Sequence, residues 1–74
     1  MKRQYLFSAF LSREKCLLYY QGSIRYVVVT ADSGERIQLG LKHFQPYFSA
    51  LGLRGRFRLT LTENGAFAGL EQIN

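Results

Sequence analysis

The chain has one cysteine, one histidine, one proline, one methionine and no tryptophan among its 74 residues. A single cysteine cannot form an internal disulfide, so a secreted disulfide scaffold is excluded and the cytoplasm is the expected location. With one histidine and five scattered acidic residues, no cluster has metal-ligand spacing, so no metal site is expected. Cys16 and His43 formally allow a nucleophilic pair. Cys16, however, falls on the apolar face of a predicted helix, where a cysteine behaves as a small hydrophobe. The seven glycines sit at turns, caps and strand kinks and form no glycine-rich phosphate loop. No catalytic residue, cofactor or small-molecule substrate is therefore expected. No apolar stretch approaches the ~18 residues of a membrane span. The opening, MKRQYLFSAFLSREK, is interrupted by Ser8 and lacks the small-residue cleavage site of a signal peptide.

What is present reads as one globular domain, residues 1–74. The composition is 47% hydrophobic, 15% aromatic and 20% charged. A chain this short buries only about 60% of the surface its unfolded form exposes. Five tyrosines and six phenylalanines offset that, since each ring can bury roughly 150–250 Å². The core is still small enough that a homodimer is among the expectations. Ten Lys and Arg against five Asp and Glu give a net charge of +5. Such an excess attracts anionic partners such as nucleic acid or an acidic protein, although a charge of about 2–8 also serves solubility alone.

The order of elements follows from local signals. RQYLFSAFL, residues 3–11, is aromatic-rich and lacks a helix start, so it reads as a strand. Ser12 is a helix N-cap with Glu14 in the first turn, and Gly22 is the stop. Residues 24–31, IRYVVVTA, form the clearest strand, and Asp32-Ser33-Gly34 turns the chain into ERIQL. A three-residue loop there places Val27, Val29, Ile37 and Leu39 on one face and Tyr26, Val28, Thr30, Arg36 and Gln38 on the other. A two-residue loop would set Asp32 against Glu35, a disfavoured like-charge pair. Pro46 then predicts a short helix beginning near it and ending at Gly52.

The last two strands flank Glu63-Asn64-Gly65, a hairpin signal. A two-residue loop pairs Arg58 with Glu71 and turns Ala68 and Leu70 inward. A three-residue loop turns Phe67 and Ile73 inward instead. Both faces claim apolar residues, which predicts a bulge near Gly69. The expected fold is α+β: a small curved antiparallel sheet or barrel of about five strands with one main helix, in the order β-α-β-β-(short α)-β-β.

The stretch LRGRFRLTLT, residues 53–62, is the strongest candidate for a surface with a task. Alternation aims Arg54, Arg56 and Arg58 at one face and Leu53, Gly55, Phe57, Leu59 and Leu61 at the other. Same-face residues lie roughly 6.5–7 Å apart along a strand, close to the phosphate spacing of a nucleic acid backbone. Arginine can grip a phosphate with its planar fork and stack on a base. Arg36 and Tyr26 would extend the patch if the two hairpins adjoin. The bland alternative is a solvated sheet face, with Arg58 balancing Glu71 and Arg54 and Arg56 left unexplained.

Two known patterns fit poorly. Only Arg54 and Gly55 match the RNA-recognition strand K/R-G-F/Y-G/A-F-V-x-F/Y, and arginines stand where stacking aromatics belong. Arg54-x-x-x-Arg58 with Asn64-x-Ala66-x-x-Gly69 resembles the cyclic-dinucleotide motif of PilZ-type domains, but only five residues separate the two elements here. The best-supported expectation is a binding module for RNA or single-stranded DNA through Arg54, Arg56, Arg58, Arg36 and Tyr26. The alternative is a protein-interaction or homodimerising adaptor that offers a sheet edge or an apolar face.

Taken together, YYQGSIRYVVVTADSGERIQL and GLRGRFRLTLTENG, with the capped helix before them, resemble a family of short bacterial proteins. It is the domain of unknown function numbered twenty-eight thirty-five. The likeness runs through Tyr19-Tyr20-Gln21-Gly22, Ser33-Gly34 and Gly55-Arg56-Phe57. It implies a bacterial cytoplasmic protein and brings no activity, ligand or catalytic residue.

Overall fold

The computed structural model describes residues 2–74. In chain order these are strand β1 (Arg3–Leu11), helix α1 (Arg13–Tyr20), strands β2 (Tyr26–Thr30) and β3 (Arg36–Gly40), two 3-10 turns (Leu41–His43 and Gln45–Tyr47), and strands β4 (Leu53–Leu61) and β5 (Phe67–Gln72). The strands form two antiparallel sheets instead of one, and they do not close into a barrel. One has the order β1-β4-β5 and the other is the β2-β3 hairpin. They meet at a single antiparallel bridge between Phe7 and Ala31, beside which the Asp32 N–H donates to the Leu6 carbonyl at 2.7 Å.

Alternation along β1 and β4 supplies the core. Phe7 pairs with Phe57 and Leu11 with Leu53, and all four side chains are buried. Phe7 stacks on Phe57 at 5.9 Å, and Phe44 meets both rings edge-on at 6.1 and 5.3 Å. Three fully buried phenylalanines in these stacked and edge-on arrangements are a strong anchor for so small a core. Tyr47 adds its ring to Phe57 at 5.4 Å and donates its hydroxyl to the Leu70 carbonyl at 2.8 Å. Cys16 is a buried member of the same cluster, and burial pushes its thiol pKa up.

Helix α1 starts and stops on local chemistry. Ser12 accepts the Lys15 N–H on its side chain. At the other end Gly22 adopts φ +81°, the Gly22 N–H bonds the Tyr19 carbonyl and the Ser23 N–H bonds the Leu18 carbonyl. Those paired bonds are a Schellman stop, which a β-carbon at Gly22 would strain.

The first hairpin takes the three-residue loop. Ala31 N–H bonds the Glu35 carbonyl, Val29 pairs with Ile37 and Val27 with Leu39. The last hairpin uses both expected registers in succession. Arg58 pairs with Glu71 and Thr60 with Gly69, whereas Leu61 pairs with Phe67, so Ala68 is the extra, bulged residue. The segment after Gly40 departs from expectation, because the short helix to Gly52 is absent. Pro46 sits in the second 3-10 turn. Ser49 then folds the chain back, its hydroxyl taking the Leu51 N–H while its backbone and Gly52 exchange hydrogen bonds. A serine that captures nearby backbone groups competes with helix formation.

Candidate nucleic-acid interface

The outward face of the three-stranded sheet carries Arg54, Arg56 and Arg58 in a row on its central strand. The β1 residues opposite them are Phe10, Ser8 and Leu6 respectively. The stripe therefore exists as read from alternation, but its charge is largely spoken for. Arg58 lies in an ion pair with Glu71, its Nε donating at 2.6 Å. Arg56 donates through Nη1 to Asp32 at 3.0 Å and to Ser8 Oγ at 3.0 Å, and its Nη2 also bonds Asp32. This contact holds the Asp32 carboxyl below its usual range and raises Arg56 above its own.

The expectation that Arg56 has no structural partner is thus corrected. The turn at Asp32-Ser33-Gly34 lands beside β1 and carries its carboxylate across that strand to Arg56. Sequence reasoning missed this because Asp32 already had a sufficient role as a turn former. Arg54 keeps a free guanidinium among the described residues.

Arg36 and Tyr26 occupy the outward face of the β2-β3 hairpin, as the three-residue loop requires. They do not adjoin the β4-β5 hairpin, since β1 lies between. What the fold adds is an aromatic. Phe10 is 71% exposed beside Arg54, and Tyr26 is 63% exposed on the hairpin. Phe10 was legible in RQYLFSAFL, where Phe7 and Leu11 claim the core and alternation expels Phe10. The residues left open thus fall in two places, Phe10 and Arg54 on the three-stranded sheet and Tyr26 and Arg36 on the hairpin, with Arg56 and Arg58 held in local pairs.

His43 stacks on Phe67 at 3.7 Å, and burial, with help from Lys42, pushes its pKa down. Cys16 lies in the core cluster, so the two reactive residue types serve different packing sites. Among the described residues no group of three His, Cys, Asp or Glu is placed to hold a metal ion. No helix among them is long and apolar enough to cross a membrane.

The architecture is that of a small mixed α/β protein, mostly antiparallel strand, with one α-helix among the described residues. The chain belongs to the family described as protein of unknown function DUF2835, whose model matches residues 3–73. No curated protein and no solved structure matches it.

Proposed function

We propose that this chain is a non-catalytic module of the bacterial cytoplasm that binds RNA or single-stranded DNA across its outward sheet surface. The observation that carries the reading is the exposed ring of Phe10 beside Arg54 on the three-stranded sheet, with a second exposed ring, Tyr26, and a second arginine, Arg36, at the two ends of the hairpin; neither arginine has an ion-pair partner among the described residues. Single strands are held in this way, with bases stacked on aromatic rings and phosphates met by a positive surface, without base-specific contacts. The excess charge of +5 draws such a polymer toward the protein.

The test is fluorescence anisotropy with a labelled single-stranded oligonucleotide at low salt. Phe10→Ala and Tyr26→Ala each weaken binding about fivefold or more, the loss of one stacked base. Failure of the unmodified protein to bind either RNA or DNA at low salt overturns the proposal.

A second reading has its own observation. Leu6, Phe10 and Val28 are exposed apolar residues on outward faces, and β3 and β5 present open edges. Such features suit a homodimer or an adaptor. Light scattering that shows a dimer, together with no oligonucleotide binding, favours this reading over the first.

A further inference from the structure

The β2-β3 ladder ends at the pair Tyr26 and Gly40. One more backbone bond extends it, from the Leu41 N–H to the Arg25 carbonyl at 2.8 Å. That bond fixes Arg25 and Tyr26 beside Lys42 and His43, seventeen residues further along the chain, in the 3-10 turn of Leu41–His43. The C-terminal end of α1 closes the other side with Tyr19 and Tyr20. The result is a cleft of about 540 Å³ whose lining includes these six residues together with Ile24 and Gln45.

Its chemistry is one-sided. Three tyrosines, an arginine, a lysine and an imidazole face the space, and no carboxylate does. Neither Arg25 nor Lys42 is ion-paired among the described residues. Helix ends normally bring partial negative charge, but the carbonyls of Leu17, Leu18 and Tyr19 are already occupied by the N–H groups of Gln21, Ser23 and Gly22. The two cations therefore set the sign of the cleft.

The aromatic side is braced before any ligand arrives. Tyr20 meets Tyr19 edge-on at 5.5 Å and Phe48 at 6.0 Å, yet stays 58% exposed. Tyr19 is held by Phe48 at 5.8 Å and donates its hydroxyl to Gln45 Oε1 at 3.2 Å. Rings positioned in this way lose little freedom when a planar group stacks on them.

We propose that this cleft binds a nucleoside 5′-phosphate, its base on the tyrosines and its phosphates on Arg25 and Lys42. The volume lies within the roughly 300–1,000 Å³ of small-ligand sites. A terminal phosphate carries about −1.5 to −2 charges at neutral pH, which two cations can match. Side chains supply the phosphate contacts here, so the lack of a glycine-rich loop is no obstacle. The site is separate from Arg54, Phe10 and Arg36, and it does not depend on whether the sheet surface binds a polymer. Tyr26 alone belongs to both.

Calorimetry and amide NMR with adenosine triphosphate, adenosine and inorganic triphosphate test the proposal on the full chain without added metal. Adenosine triphosphate binds saturably with a dissociation constant below about 1 mM, and each fragment binds about tenfold or more weakly than the whole. Amide shifts centre on Tyr20, Arg25, Tyr26, Lys42 and His43. The double substitution Arg25→Gln and Lys42→Gln weakens binding about tenfold or more while the rest of the amide spectrum persists, and Arg13→Gln, an exposed arginine at the other end of α1, leaves the affinity unchanged. Inorganic triphosphate binding as tightly as the nucleotide would reduce the cleft to a general anion site and overturn the assignment. So would the absence of saturable binding, an unchanged affinity in the double variant, or an equal loss in Arg13→Gln.

Discussion

Asp32 and Arg56 illustrate how one contact can change the meaning of a residue. Arg56 alternates with its neighbours on β4 and points outward, all of which LRGRFRLTLT contains. Its partner lies 24 positions earlier in a turn on the other sheet. That juxtaposition arises only when Phe7 and Ala31 bridge and the Asp32 N–H reaches the Leu6 carbonyl. The pair consequently ties the two sheets together at their junction.

Its signature is electrostatic. A carboxylate whose pKa is lowered on folding contributes stability above its unfolded value, and that contribution disappears as pH falls through the lowered folded value. An NMR titration of the Asp32 carboxyl carbon gives a midpoint below the ordinary 3.8. In the Arg56→Gln variant the midpoint moves back up toward 3.8. A midpoint unmoved by the substitution excludes the pair in solution.

Among the helices, strands and turns, local signals were legible wherever the partner groups are close in sequence. Ser12 and Gly22 bound α1, and like-charge repulsion between Asp32 and Glu35 selects the three-residue loop. The bulge at Ala68 could be foreseen only as a conflict, because both faces of β5 hold apolar residues. Phe67 and Leu70 are reconciled by shifting register between Thr60 and Leu61. The stretch from Leu41 to Gly52 misled because its apolar spacing is helical while its Ser49 hydroxyl and Gly52 geometry favour a reverse turn.

Gly52 has φ +108°, and a β-carbon there would collide with the Leu11 carbonyl oxygen. Gly52→Ala should therefore destabilise the protein by about 1–3 kcal/mol or more, through both the backbone conformation and the clash. Urea unfolding followed by circular dichroism measures this. A loss of only a few tenths of a kcal/mol would mean that the turn is not held as described.

For the whole molecule the question is which of its ten basic residues are free to act. The sequence reveals the excess of charge and the row of arginines, but not which of them the fold neutralises, since ion pairs are settled by tertiary approach. Here Glu71 takes Arg58 across one hairpin and Asp32 takes Arg56 across β1, leaving Arg54 with Phe10 on the outward face of one sheet and Arg36 and Tyr26 on that of the other. The cleft beside the end of α1 was illegible for the same reason. Arg25 and Lys42 carry no motif, and only the closing of the β2-β3 ladder brings them together.

The decisive measurement is binding of a labelled single-stranded oligonucleotide across a salt series. Removing one phosphate contact should reduce the slope of log K against log salt by about 0.7 for a single strand. Arg54→Ala with Arg36→Ala is predicted to flatten the slope by about twice that. Arg58→Ala with Glu71→Ala, which removes a neutral pair as a unit, is predicted to leave it unchanged. The opposite pattern, a slope that flattens when the Arg58 and Glu71 pair is removed and persists without Arg54 and Arg36, would exclude Arg54 and Arg36 as the phosphate-binding residues.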